Sequence, residues 1–327
     1  MIDTIRPGLH RIEVPLPRSP LKAINSYVLT SRDRNLVVDT GMRRPECEQA
    51  LRAGLEELSV DLSTTDFFIT HLHADHLGLV SDLATVTSRV YFNRPDGELI
   101  SSGIQDPGGW YEPVIDRARK SGFSNEEIEE ALRGHPGLRY SPTTYPDFVY
   151  AVDGDEIEIG DYRFVVVATP GHTPGHLCLY EPGLRILLSG DHVLGDITPN
   201  ITMWRENDDS LGDYLESLDK VARLDVELVL PGHRTAIEDC RGRIGELKEH
   251  HRHRLAEVMA ILSERSATAY GVASKMTWDI VAKSWEDFPV VQKWFAVSEA
   301  AAHLFYLERR DRIVVEERDG LFMWGVG

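Results

Sequence analysis

Ten residues, 70–79 (THLHADHLGL), constrain this chain more than any others. They place His71, His73, Asp75 and His76 within six positions. Neutral imidazole nitrogens and carboxylate oxygens are the donors that Zn²⁺ and similar divalent ions prefer. The segment follows a short apolar run, DFFIT at 66–70, that reads as a buried strand. In a loop leaving a strand end, the alternate residues His71 and His73 can converge on one ion. Asp75 and His76 then turn toward a second position. The competing reading is a polar turn whose histidines only cap and hydrogen-bond. Three histidines and one aspartate in six residues make that a poor reading.

Three further polar islands each follow an apolar strand. TPGHTPGH (169–176) follows YRFVVVA, SGDH (189–192) follows RILL, and PGH (231–233) follows ELVL. They contribute His172, Asp191 and His233. Donors at successive strand ends of one layered sheet face one cleft, the usual ligand location in open α/β sheets. A glycine before His172, Asp191 and His233 permits close approach.

These motifs, in this order, resemble the metallo-β-lactamase fold superfamily over roughly residues 10–240. The H-x-H-x-D-H pattern stands at 71–76, followed by His172, Asp191 and His233, and VVDTG at 37–41 matches an early aspartate motif through Asp39. The resemblance implies an α/β, four-layer αββα fold. It implies that His71, His73 and His172 hold one divalent ion, that Asp75, His76 and His233 hold another, and that Asp191 bridges them. Asp39 would hydrogen-bond a ligand histidine. Zinc is the expected metal, with iron or manganese as alternatives. A water shared by two such ions has its pKa lowered toward about 7. The bridging hydroxide would attack an ester-like carbonyl, with Asp75 as the catalytic residue that orients the water or takes its proton.

Other features separate branches. Leu79 replaces the second glycine of the common D-H-x-G-G continuation. His73 stands where the oxygen-reducing di-iron branch carries glutamate, and no cysteine occupies position 172 or 191. Oxygen reduction and antibiotic hydrolysis are therefore disfavoured. A helical insertion, the segment 190–201 (GDHVLGDITPNI) and the tail together resemble the branch of β-lactamase-like-2 proteins and fungal polyketide thioesterases, which ends in a winged-helix-like domain.

The predicted strands are 34–39, 66–70, 89–92, 162–168, 177–180, 185–189 and 227–230, with a helix over 45–58. The insertion covers about 98–145, with helices at 113–120 and 125–132 and a capping box from Ser124 and Glu127. Its Trp110, Tyr111, Phe123, Tyr140 and Tyr145 are candidates for an apolar lid, with scaffold packing equally open. A catalytic domain spanning 1–244 precedes a winged-helix-like domain over 245–327. That tail reads as a long helix over 247–265, a short one opening near Thr268, a helix over 290–309 and a hairpin around Asp319-Gly320.

Composition narrows function. The chain has 327 residues, 42% hydrophobic, with 35 basic against 53 acidic side chains and a formal charge of −18. The apolar fraction supports a packed core, whereas the charge opposes broad binding to nucleic acid or anionic membrane. The tail itself holds eleven basic and thirteen acidic residues. No run reaches the roughly 18 apolar residues of a membrane span, and the first residues lack an apolar signal segment. Cys47, Cys178 and Cys240 form no C-x-x-C pair and read as buried thiols of a cytoplasmic protein. The expectation is a binuclear hydrolase of a thioester or related small-molecule ester. The alternatives are a lactonase or a metal-dependent ribonuclease, and a DNA-binding regulator is disfavoured. A small-molecule substrate is expected, and a homodimer is left open. His176 reads as a supporting or structural residue, His192 as pointing away from the metals, and His250, His251 and His253 as a solvated helix face.

Overall fold

Short apolar runs become two β-sheets in the computed structural model, which describes residues 1–105, 107–205, 208–279 and 282–327. The first sheet has seven strands in chain order: β1 (Ile2–Arg6), β2 (Leu9–Pro15), β3 (Ala23–Leu29), β4 (Asn35–Val38), β5 (Thr65–Phe68), β6 (Val90–Phe92) and β7 (Phe148–Tyr150). Strands β1 to β4 pair antiparallel and β4 to β7 pair parallel. The second sheet holds β8 (Glu156–Ile159), β9 (Tyr162–Ala168), β10 (Leu177–Glu181), β11 (Ile186–Gly190) and β12 (Leu228–Pro231), in the order β12-β11-β10-β9-β8. Only β11 and β12 run parallel there, because the helix Ser210–Ala222 carries the chain back between them.

Strand alternation sorts the apolar residues into layers. Leu36 and Val38 face the second sheet while Val37 faces outward, and Phe68 and Phe67 divide in the same way. Between the sheets, Leu29, Leu36 and Phe68 meet Phe164, Val166, Leu179 and Leu188. Outside the first sheet, Val37, Phe67 and Val90 pack with Cys47, Leu51 and Leu55 of the helix Pro45–Glu57. Outside the second, Val167, Cys178, Leu187 and Val229 pack with Leu211, Tyr214 and Leu218 of Ser210–Ala222. The result is an αββα sandwich.

Helices Arg94–Gln105, Pro107–Ser121, Asn125–Gly134 and Pro136–Tyr140 fill the stretch between β6 and β7. The predicted capping box is present, Glu127 N donating to Ser124 Oγ and Ser124 N to Glu127 Oε2. The tail follows the expected order: Cys240–Glu264, Ala269–Ala273, Val290–Glu308, then the hairpin of β13 (Val314–Arg318) and β14 (Leu321–Gly325). Asp319 and Gly320 take φ of 52° and 75° in its two-residue turn.

Insertion and tail share one core, in which Phe123 and Ile128 meet Val258, Leu262, Val272, Leu304 and Trp324. Residue 245 lies inside the helix Cys240–Glu264, whose Cys240, Ile244 and Leu247 pack into the outer core of the second sheet. Chain and core are therefore continuous across that position. The EHHRHR face is not uniformly solvated. His253 is exposed, but His251 is fully buried and its Nδ1 lies 3.1 Å from His303 Nε2. The helix packs against Val290–Glu308 on that side, and periodicity in charge alone could not show it. No described helix is long and apolar enough to cross a membrane.

Candidate metal centre

Every expected donor leaves the end of a strand on one rim of the sandwich. Asp39 follows β4, the histidine cluster follows β5, His172 follows β9, Asp191 follows β11 and His233 follows β12. All seven predicted residues converge there as two groups, His71, His73, His172 and Asp191 in one and Asp75, His76 and His233 in the other. Within each group the donor atoms lie within 4.8 Å of one another. His73 Nδ1 lies 3.0 Å from both His71 Nε2 and His172 Nε2. Asp191 sits between the groups, with Oδ2 3.6 Å from His172 Nε2 and Oδ1 3.4 Å from His76 Nε2 and 3.6 Å from His233 Nε2. Close backbone approach makes this arrangement feasible. A Cβ on Gly232 would stand 2.7 Å from Asp191 Oδ1 and 2.8 Å from His76 Cε1.

Four of the five histidines have their outward ring nitrogens pinned by the protein. His76 Nδ1 lies 2.7 Å from Asp39 Oδ2, and Asp39 also accepts from Thr70 N at 2.9 Å. His71 Nδ1 meets Thr70 Oγ1 at 3.0 Å, His172 Nδ1 donates to Asn200 O at 2.8 Å, and His233 Nδ1 donates to Ala23 O at 2.7 Å. Meanwhile His76 Nε2, His233 Nε2 and Asp191 Oδ1 are buried without a hydrogen-bond partner. Buried polar atoms ordinarily find partners. Imidazoles oriented through one nitrogen and left open at the other are the pattern of metal ligands. The residues therefore fit a pair of divalent cations.

Electrostatics agree. Burial drives His71, His73 and His172 below the ordinary histidine value, His73 to about 3, so these rings stay neutral. Burial opposes charge on Asp75 and Asp191 as well, yet His233 and His76 outweigh it, holding Asp75 at about 2 and Asp191 well below the carboxylate range. Against the same burial, the neighbouring carboxylates raise His76 and His233. Cations bound here would replace the protons that these carboxylates draw onto His76 and His233.

His176 and His192 stand outside both groups. His176 Nε2 accepts from Asp191 N at 3.1 Å, which leaves its Nδ1–H for Thr169 Oγ1 at 2.8 Å. His192 turns its ring to Tyr214, 5.3 Å between centroids. Of the aromatic lid candidates, Phe123, Tyr140 and Tyr145 pack in the hydrophobic cores, and the side chains of Trp110 and Tyr111 lie outside the described residues.

Three supporting residues escaped the sequence reading. Asp96 is fully buried and ties the two histidine loops together, accepting from Leu72 N at 3.0 Å, Thr173 Oγ1 at 2.8 Å and Gly175 N at 2.8 Å. Burial raises its carboxyl to about 6 against the pull of these donors. Trp204 donates from Nε1 to His172 O at 3.1 Å and sets its ring 5.6 Å from that of His73. Asn200 supplies the carbonyl that orients His172. Asp96 lies in the first turn of a helix that starts two residues past a strand, a weak signal that could have been read; Asn200 and Trp204 carry none.

The sequence profile of the metallo-beta-lactamase superfamily matches residues 20–233. The chain belongs to the metallo-beta-lactamase superfamily. Among relatives, it is 26% identical over 255 residues to the lactamase-like protein aptB of Emericella nidulans, covering 77% of this chain and 64% of that protein. It is 25% identical over 314 residues to "Probable metallo-hydrolase YqjP" of Bacillus subtilis, covering 92% of each. The chain thus spans less than two thirds of the fungal aptB but nearly all of the bacterial relative. A crystal structure of a metallo-beta-lactamase family protein from Thermus thermophilus superposes with a TM-score of 0.83 at 28% identity, covering 99% of this chain and 100% of that one. A beta-lactamase domain protein from Burkholderia ambifaria shares the fold, with a TM-score of 0.85 at 24% identity, covering 100% and 94%.

Proposed function

We propose that this superfamily member is a binuclear metal-dependent hydrolase of an ester-like bond in a small molecule, a thioester or a related ester. The observation that carries this reading is the pair of donor groups with Asp191 facing both, four outward nitrogens pinned and His76 Nε2, His233 Nε2 and Asp191 Oδ1 unpartnered. His71, His73 and His172 would hold one cation, Asp75, His76 and His233 the other, and Asp191 both. Five imidazoles and two carboxylates without a thiolate suit zinc. Bound there, two divalent cations supply Lewis acidity toward a carbonyl oxygen and an acidified water at neutral pH.

The chain's own groups do the rest. Asp75 stays ionised beside His233, and we assign it the role of orienting the attacking water or taking its proton. His71, His76 and His233 are fully buried, whereas Asp75, Asp191 and His73 keep some exposure. Substrate therefore approaches over those three. Trp204, beside His73, offers that approach an apolar wall for an acyl group. The cysteines give no competing nucleophile, since burial pushes Cys47, Cys178 and Cys240 to about 11, 12 and 11.

We assign the chemistry to residues 1–244, with 245–327 as a supporting segment, and the three free buried thiols suit a reducing, cytoplasmic setting. A lactonase would use the same groups, so substrate decides between them. Ribonuclease activity is disfavoured by the net charge of −18. A hydrolysis panel on metal-loaded protein tests the reading: acyl-CoA and acyl-glutathione thioesters, lactones, a β-lactam and single-stranded RNA. Thioester turnover that chelation abolishes is expected. Turnover of RNA alone would overturn it.

A further inference from the structure

Four of the histidines in the two groups are oriented through Nδ1, and three of them take that support from the sandwich itself. Thr70 serves His71, Asp39 serves His76 and Ala23 serves His233. His172 differs. Its Nδ1 donates to the carbonyl of Asn200, on the segment after β11, and that segment is held from the tail. Asn200 Nδ2 donates to Glu299 Oε2 at 2.9 Å and to Phe295 O at 3.3 Å, both on the helix Val290–Glu308. The other Glu299 oxygen faces Arg254 Nε of Cys240–Glu264 at 3.7 Å. Arg254 is fixed in turn by the carbonyl of Thr277, by Glu257 Oε2 at 3.1 Å and by the Trp278 ring, 4.3 Å below its guanidinium.

Glu299 is buried at the start of a run of buried residues, Ala300, Ala301, Ala302, His303 and Leu304, with His303 Nδ1 donating to the Glu299 carbonyl at 2.8 Å. Burial raises its carboxyl, a sign that the position is unfavourable for charge. A buried ion pair adds little to stability compared with an apolar replacement, and its better-attested use is to fix a geometry.

We propose that Glu299 is a positioning residue for the first donor group: through Asn200 it sets the ring orientation of His172, so the C-terminal helices govern one of the two cation sites. The inference rests on reading that group as a metal site. Rotation of His172 would carry Nε2 away from His73 Nδ1, 3.0 Å distant, and from Asp191 Oδ2. The supports of His76 and His233, Asp39 and Ala23, lie on the sandwich and outside this relay. The effect is therefore selective, which a general loss of packing would not be.

The test is a Co²⁺ titration of metal-free, full-length protein, followed by calorimetry and visible absorption. The wild type should take two equivalents. Glu299→Ala should weaken one of them by about 10-fold, the lower end of the scale found when a ligand's hydrogen-bonding partner is lost, since the Asn200 carbonyl itself remains, and leave the other unchanged. Glu299→Gln still accepts from Asn200 Nδ2 and should recover most of the affinity. Asn200→Ala keeps the backbone carbonyl but loses both anchors, and should reproduce Glu299→Ala if that variant does not fold. Leu304→Ala, fully buried in the tail core, should lower the unfolding temperature while both affinities hold. Unchanged affinities in Glu299→Ala and Asn200→Ala, or the same selective loss in Leu304→Ala, would overturn the proposal. A wild type that binds no Co²⁺ would instead overturn the metal-site reading beneath it.

Discussion

Asp39 Oδ2 lies 2.7 Å from His76 Nδ1, across 37 positions of chain and entirely out of solvent. Asp39 adopts φ of 60° just past β4, which aims its carboxylate across the strand end at the histidine loop. The contact makes Nδ1 the protonated nitrogen and leaves Nε2 open toward Asp191.

Asp39→Asn should therefore weaken the cation site of Asp75, His76 and His233 more than the other. An amide presenting N–H toward His76 no longer specifies the tautomer, and loss of such a partner costs about 10–100-fold in affinity. Competitive titration with a chelator measures it. Equal weakening of both sites would refute the assignment of Asp39 to His76.

Asp191 and His192 are neighbours with opposite expectations. Asp191→Ala removes the one residue placed toward both groups, so bound metal should drop and turnover fall by orders of magnitude. His192→Ala opens a void beside Tyr214 and should cost stability while metal content stays near that of the wild type. Metal analysis of the two variants under identical loading separates them, and metal loss from His192→Ala alone would reverse the assignment.

Legibility in the sequence followed locality. The donors at 71–76 stand out because four of them fall within six positions, and the later ones because each follows an apolar strand that ends in glycine and a polar residue. Strand β9 was readable to the residue because both its faces are covered. The relay from Glu299 to His172 was not readable, since its members lie in three segments joined only by tertiary packing. Strands β1 to β3, β7 and β8 went unread. β3 is buried along nearly its whole length with polar Asn25 and Ser26 inside it, β7 is only three residues long, and the alternation of β2 and β8 spans only a few residues. The common core of insertion and tail was invisible for the same reason as the relay: Phe123 and Trp294 meet with ring centroids 5.5 Å apart from distant stretches of chain.

The thiols offer a test by pH. Burial raises Cys47, Cys178 and Cys240 above the ordinary thiol value, to about 11, 12 and 11. A raised thiol pKa keeps the unreactive protonated form, so at pH 8 the thiolate fraction is about one in a thousand or less. Native protein should resist iodoacetamide from pH 6 to 9 and keep its activity, and all three should react once it is unfolded. Inactivation by alkylation of a single native cysteine would point to a thiol nucleophile.

Removing residues 245–327 should expose the apolar residues that the tail's helices cover, Leu211, Tyr214 and Leu218 beside the second sheet and Phe123 and Ile128 of the insertion. The truncated chain should aggregate or unfold at much lower denaturant than the whole protein. With eleven basic and thirteen acidic side chains in the tail, the full chain should not shift duplex DNA at low salt. Wild-type stability after truncation, or tight salt-dependent DNA binding, would contradict this.

The most direct test of the account is the metal content of protein purified without chelator, measured by elemental analysis against protein concentration and paired with activity. Seven donors in two groups, with Asp191 of one facing His76 and His233 of the other, predict a ratio near two per chain, with activity rising as the second equivalent binds. A reproducible ratio of one at full activity would contradict the binuclear centre.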